Sequence, residues 1–280
     1  MKVLDNRVAV ITGAASGIGR SLALQLADAG CRLAISDVNE AGLKDVTEAL
    51  NAKGAEVHSE RLDVADRAAF HAYADRVHAH FGEVHLVINN AGVALGATVE
   101  DMSYDDFDWL MGINFWGVVH GTKAFLPYLK QADAGHIVNI SSVFGLIGVP
   151  TQSAYNAAKF AVRGFTESLR MELEIEGSQV SCTSVHPGGI KTNIARNARM
   201  NDVSHITGSD SEKAIADFEK MFRTTADEAA RTIINGIRNN KRRVLIGSDA
   251  YAIDTMQRSM PTLYQKLMIS GQKLMRKRQG

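Results

Sequence analysis

Thr12-Gly13-Ala14-Ala15-Ser16-Gly17-Ile18-Gly19 joins a continuous apolar run at residues 8–12 to a helical pattern at 18–29. The apolar run is what a strand buried on both faces requires. In the helical stretch Leu22, Leu26 and Ala29 share a face, and Gly30 supplies the stop. Glycines at 13, 17 and 19 let the backbone turn tightly and approach a pyrophosphate. The helix that follows presents free N–H groups and a positive dipole end. Glycines alone also make tight turns that bind nothing. Their place between a first strand and a first helix is what points to a phosphate.

Outward from this turn, short β-branched runs alternate with helical periodicity. Further strands are predicted at 32–37, 57–64, 84–89, 136–141, 180–186 and 243–246. The helices between them fall at 41–52, 67–81, 104–130, 153–176 and 226–239, several closed by a glycine such as Gly54 or Gly82. The connections suit only right-handed crossovers, so the pattern predicts an α/β fold, a doubly wound parallel sheet of about seven strands with helices on both faces. No repeat, low-complexity segment or linker divides the chain, which reads as one domain, 1–280, with a core at about 6–248 and a helical extension at about 249–280.

The chain has 280 residues, 45% hydrophobic and 22% charged, with 31 basic and 31 acidic side chains. Zero net charge gives no long-range field for nucleic acid or an anionic membrane. Cys31 and Cys182 are the only cysteines, read as small apolar residues in buried strands; with no metal-ligand spacing there or among the nine histidines, no metal is expected. No run of 18 apolar residues and no leader-like start occurs, so the expected location is cytoplasmic.

In such sheets ligands bind beyond the carboxyl ends of the strands, and the residues there carry the chemistry. Asp37 ends the second strand, where a carboxylate can accept from both ribose hydroxyls of an adenosine and repel a 2′-phosphate; this favours NAD over NADP, with nearby Arg20 as the counter-signal. Asp63 and Val64 end the third strand, where an adenine could lie, and Asn89-Asn90-Ala91-Gly92 ends the fourth. Tyr155 and Lys159 form an i,i+4 pair on one helix face. A free tyrosine titrates near ~10 and is a poor base at neutral pH. A nearby ammonium favours the phenolate, and Lys159 is placed to supply it. Ser142, just past a strand end, could hydrogen-bond a reacting oxygen.

TGAASGIG (12–19), NNAG (89–92), Asn114, NISS (139–142), YNAAK (155–159) and HPGGIKT (186–192) together resemble the short-chain dehydrogenase/reductase family over about residues 6–248. The resemblance implies a Rossmann-type fold and hydride transfer between NAD(P) and an alcohol or carbonyl. It also implies roles: Tyr155 as acid/base, Lys159 on the nicotinamide ribose and depressing the tyrosine pKa, and Ser142 rather than Ser141 on the substrate. Asn114 would anchor a water in a proton relay, and Ile190 and Thr192, after Pro187-Gly188, would hold the carboxamide. Gly13, Ser16, Gly17, Ile18, Gly19, Asn90, Ala91 and Gly92 complete the implied cofactor set. A homodimer or homotetramer through the long helices near Asn114 and Tyr155 is implied as well.

The substrate pocket is expected under the segment at about 193–223, which holds Ile194, Met200, Ile206, Met221 and Phe222, with Leu95, Val143 and Phe144 on the opposite side. These residues suit an apolar secondary alcohol or ketone. The rival readings are an NADPH-dependent carbonyl, 3-oxoacyl or steroid reductase, and a non-catalytic NAD(H)-binding sensor. The tail carries a stripe of Met256, Met260, Leu263, Leu267 and Leu274, expected to break near Pro261 and Gly271, and has no acids after Asp254. A helix packed on the core or a partner subunit is the favoured reading; a membrane-surface contact is the alternative.

Overall fold

In the computed structural model, which describes residues 1–208, 216 and 222–279, the chain alternates strand and helix from its first element. β1 (Val8–Thr12), α1 (Gly17–Asp28), β2 (Arg32–Asp37), α2 (Glu40–Ala52), β3 (Val57–Arg61), α3 (Arg67–Phe81) and β4 (Leu86–Asn89) form the first half. α4 (Tyr104–Met111) runs through a wider π-turn at Gly112–Trp116 into α5 (Gly117–Gln131). β5 (Gly135–Ile140), α6 (Ser153–Ile175), β6 (Val180–Pro187), α7 (Ala226–Arg238) and β7 (Arg243–Ile246) follow, then α8 (Ser248–Ser259) and α9 (Leu263–Gln279).

The seven strands form one sheet in the order β7-β6-β5-β4-β1-β2-β3, every pair parallel. Strand alternation sorts the core onto two faces. Ala9 and Ile11 of β1 join Leu22 and Leu26 of α1, Leu43 and Leu50 of α2, and Ile233 and Ile237 of α7. Val8 and Val10 join Phe70 and Val77 of α3, Phe125 and Leu129 of α5, and Leu169 of α6. Side-chain caps fix where helices begin: Asn39 accepts from Gly42 N, Asp66 from Ala69 N, and Thr225 with Glu228 forms a reciprocal capping box. Gly82, at φ 78°, takes the left-handed position that ends α3. The chain reverses direction across the sheet between β1 and β4, so a crevice opens where their loops part.

Three expectations are corrected. β3 stops at Arg61, not at 64, because its partner β2 ends at Asp37; Leu62 N makes the last bond, to Asp37 O, and Asp63 then turns back to accept from Ala65 N. Cys31 lies just before β2 rather than in it, its thiol donating to Leu4 O. Burial pushes both Cys31 and Cys182 up to about 12, so neither is a thiolate at neutral pH. The tail breaks at Pro261 but not at Gly271, which sits inside α9. One glycine costs a helix about 1 kcal/mol, which does not end it.

Two buried histidines make the fold acid-sensitive. His136 Nε2 lies 2.8 Å from Thr183 Oγ1 and burial lowers its pKa to about 3; His186, between Ser184 and the Ser142 carbonyl, is lowered to about 4. Both are neutral when folded but take up protons when unfolded as pH falls below about 6.5. Stability is therefore lost from about pH 6.5 downward, by on the order of 1 kcal/mol per histidine at pH 5.5. Melting temperature followed from pH 7 to 5 is expected to fall, and to fall less steeply in His136→Gln. An unchanged slope in the variant would overturn this assignment.

Candidate active site

The loops after β1 and β4 are stitched together by their own polar groups. Asn90 Nδ2 donates to Thr12 O at 3.0 Å and Gly13 O at 3.1 Å, while Thr12 Oγ1 accepts from Asn90 N and Ala91 N. Gly13, at φ +64°, lies so close that a Cβ there would be 2.8 Å from Ala91 Cα. The Ser16 side chain caps none of the first amides of α1, and the first turn carries no acid. Those amides face a cleft of about 580 Å³. It runs from Asp37 and Asp63 at one end, past the glycine turn, to Ser142 and Tyr155 at the other.

Asp37 accepts from Ala15 N at 2.9 Å through one oxygen and from Asn39 N at 3.0 Å through the other. Each oxygen keeps a further lone pair for a ligand hydroxyl. Arg20 is exposed and does not line the cleft. Gly17, at φ +52°, faces Thr192 across the cleft, where a Cβ would come within 3.1 Å of Thr192 Cγ2. A Cβ on Gly92 would lie 3.3 Å from Asn114 Oδ1 and 3.6 Å from Lys159 Nζ. Such a cradle, with uncapped helix amides at its centre and a carboxylate at one end, fits a dinucleotide diphosphate and its ribose.

At the other end β5 delivers two serines to different tasks. Ser141 also borders the cleft, but its Oγ is engaged, donating to Lys159 O at 2.8 Å. Ser142 opens into the cleft, accepts from Phe144 N at 3.1 Å and hydrogen-bonds the Tyr155 phenol. His186 Nδ1 sits 3.0 Å from Ser142 O and fixes that backbone from β6. Tyr155 meets Phe144 edge-on, ring centroids 6.0 Å apart. Lys159, one helical turn on, is 5.6 Å from the Tyr155 ring centroid, and its Nζ donates to Ile140 O at 3.0 Å.

The expected depression of the tyrosine pKa is reversed in this geometry. Burial pushes the Tyr155 phenol up to about 12, and the hydrogen bond from Ser142 pulls it back only in part. Burial also lowers the Lys159 ammonium to about 8. Desolvation disfavours both charged forms, and the ammonium is aimed at a carbonyl rather than at the phenol oxygen.

The cleft lining contains Gly13, Ser16, Gly17, Ile18, Asp37, Asp63, Val64, Asn90, Ala91, Gly92, Pro187, Gly188, Ile190 and Thr192 of the expected cofactor set. Gly19 is buried behind the turn instead. Asn114 is fully buried in the π-turn, exchanging two 2.8 Å bonds with the Val93 backbone. That loop carries Val93 and Ala94 into the cleft. Val143, Phe144 and Ile194 line the substrate end.

Leu95 and Met200 do not line it. Leu95 is 1% exposed in a small core with Leu110 and Ala158, packed behind Tyr155. Met200 pairs with Gly96 in a two-residue strand contact. Met221 lies outside the described residues. The sequence reading missed Gln152, Asn193, Asn197, Asp249 and Ile253, all of which line the cleft. The asparagines stood in the segment read for its apolar residues alone. Asp249 had no local signal, because only the return of α8 to the cleft lets it accept from Gly189 N at 2.7 Å.

Residues 7–202 match the short chain dehydrogenase family. The chain is 50% identical over 272 residues to SadH of Mycobacterium tuberculosis, which carries an oxidoreductase name, covering 97% of each. It is 34% identical to a C alpha-dehydrogenase of Sphingobium over 86% of this chain and 80% of that one. A short chain dehydrogenase/reductase from Burkholderia phymatum, solved in complex with NAD, superposes with a TM-score of 0.86 at 34% identity, over 94% of this chain and 97% of that one.

Substituting Gly17→Ala tests the cradle. The positive φ and the approach to Thr192 together cost about 1 kcal/mol or more, so a fall in melting temperature of roughly 2–4 °C is expected. Affinity for NADH, read by fluorescence titration, should fall about tenfold, since the added methyl occupies the space between the turn and Thr192. Unchanged affinity would remove the glycine turn from the binding site.

Proposed function

This chain belongs to the short-chain dehydrogenase family, and from that premise we propose that it transfers hydride between NAD(H) and an apolar secondary alcohol or ketone. The observation that carries the reading is the convergence of Ser142, Tyr155 and Lys159 at one end of a continuous cleft whose other end holds Asp37.

The first amides of α1 would hold the diphosphate of NAD(H), whose nicotinamide would supply the hydride acceptor or donor. The chain's own groups manage the proton. Tyr155 takes the hydroxyl proton as hydride leaves the carbinol carbon, and gives it back in reduction. Burial leaves its phenol too basic to ionise unaided. Lys159 is still an ammonium at neutral pH, and its field favours the phenolate. Ser142 hydrogen-bonds the same oxygen as it gains or loses the proton. Asn114 holds the Val93 loop against the lysine side of the cleft, where a water on the proton path could be anchored.

Asp37 supports NAD over NADP. A 2′-phosphate would stand beside its carboxylate, and Arg20 is not in the cleft to compensate. The likeness to an NAD complex points the same way. The substrate end is walled by Val93, Val143, Phe144, Ile194, Phe222 and Ile253, with Gln152, Asn193 and Asn197 as uncharged polar groups. Among the described lining residues Lys159 is the cation there, which favours an uncharged substrate.

Absorbance at 340 nm over a panel of secondary alcohols, with NAD and NADP in parallel, tests this. Turnover is expected with NAD on aliphatic and cyclic alcohols, with kcat/KM at least about tenfold lower for NADP. Tyr155→Phe should lower kcat by about 10²–10⁴, and Asp37→Ser should narrow the cofactor preference. Better turnover of short polar alcohols would sink the substrate class. NADH binding without turnover of any panel member, in wild type and variant alike, would favour the sensor reading.

A further inference from the structure

α9 has two apolar stripes, and the protein body uses one. Between residues 263 and 274 the side chains not exposed are Tyr264, Met268 and Gln272, one helical turn apart on the inner face. Tyr264 is 6% exposed, and its hydroxyl accepts from Gly148 N at 3.1 Å, in the loop that leads to Gln152. Gln272 Nε2 donates to Thr207 O at 3.2 Å and Ile206 O at 3.4 Å, in the segment beyond Asn197. The inner face therefore clamps both loops that border the substrate end of the cleft. This is the packing on the core expected of the tail.

The outer face is left over. Leu263, Leu267 and Leu274 stand 47%, 55% and 54% exposed, at spacings of four and seven residues that align them on one side of the helix. Lys266 and Lys273 are exposed along one flank, with no carboxylate partner among the described residues. From residue 255 to the end the chain has no Asp or Glu; Arg258 on α8 is paired with Asp254, and α9 carries Lys266, Lys273, Arg276, Lys277 and Arg278. A second copy of this helix laid against the first would bring like charges together with no acid in the helix itself to neutralise them. A leucine stripe about 16 Å long with a lysine margin matches instead an anionic lipid surface, where the leucines enter the acyl boundary and the ammonium groups stay among the headgroups.

We propose that the outer face of α9 docks this protein reversibly on an anionic membrane surface. Because the inner face of the same helix is fastened to both loops at the substrate end, docking sets that end of the cleft beside the bilayer. On the proposed function, on which this second step rests, an apolar alcohol or ketone dissolved in lipid then reaches Tyr155 with a short passage through water. No helix among the described residues is long and apolar enough to cross a membrane, so the attachment is superficial.

Co-sedimentation of the full chain with phosphatidylcholine vesicles, with and without phosphatidylglycerol, reads the docking without any need for turnover. Binding is expected only with phosphatidylglycerol and should be released at about 1 M salt. Leu267→Glu with Leu274→Glu, and separately Lys266→Glu with Lys273→Glu, should each lower the bound fraction about tenfold or more. These side chains are exposed, so the melting temperature should not change. No binding, equal binding to both vesicles, or binding unaffected by either pair of substitutions would overturn the proposal. So would a change of oligomeric state in the leucine variant without vesicle binding, which would give the stripe to a second copy of the chain. A second arm compares turnover of a lipid-dispersed secondary alcohol with that of a water-soluble one. The leucine variant should slow the first and leave the second unchanged. Vesicle binding with no turnover of either would retain the docking surface and remove the dehydrogenase reading.

Discussion

Everything in the cleft hangs from the join between two loops that leave the sheet in opposite directions. Asn90 spans the gap after β4 and reaches the Thr12 and Gly13 carbonyls, and the Thr12 hydroxyl takes two amides in return. A parallel sheet parts its loops wherever the strand order reverses, and here that parting lies between β1 and β4. Left open, the carbonyls of the glycine turn would sit beside an uncovered helix terminus without partners. Closed by one asparagine, the turn keeps its shape while the amides of α1 stay free for an anion. The same join brings Gly92 up to Lys159 and Asn114.

Burial then sets the chemistry against itself. The cleft wall that excludes water raises the Tyr155 phenol and weakens the Lys159 ammonium together. In water the pair would differ little in basicity from free tyrosine and lysine. In the cleft each neutral form is favoured, so the phenolate depends on hydrogen bonds and on a cation held nearby. Ser142 supplies the first and is itself held by His186 through its carbonyl. A buried neutral histidine, His186, serves here as a bracket between β6 and β5, and its share of the acid sensitivity of the fold is the cost of that bracket.

The C-terminal helices extend the constraint outward. α8 sends Asp249 back to Gly189, beside the Pro187-Gly188 turn, and α9 ties down the loops on both sides of the substrate end. These helices are not needed to close the sheet, whose last strand ends at Ile246. They join the cofactor side and the substrate side of the cleft to one external element, so whatever α9 touches is mechanically close to the reacting atoms.

Local signals were enough for the order of strands and helices, the glycine turn and the Tyr155–Lys159 spacing, whereas the choice of Ser142 over Ser141 came from the family resemblance alone. A strand's apolar run, a helix's 3.6-residue period and an i,i+4 spacing are properties of a few consecutive residues, and they survive whatever the rest of the chain does. The boundaries moved where a neighbour intervened: β3 stops at Arg61 because β2 has ended, and Gly271 does not break a helix whose inner face is already fastened. Leu95 and Met200 read as pocket residues but pack into a small core and against Gly96, while Asp249, Gln152 and Ile253 entered the cleft unannounced. Which side of a loop faces a ligand depends on contacts between residues far apart in the chain, 60 positions for Gly189 and Asp249, and no periodicity encodes those. The tyrosine shows the limit most sharply. Its partner and spacing were legible from sequence, but the sign of its pKa shift belongs to the walls that close around it, because desolvation is a property of the assembled cleft and not of any segment.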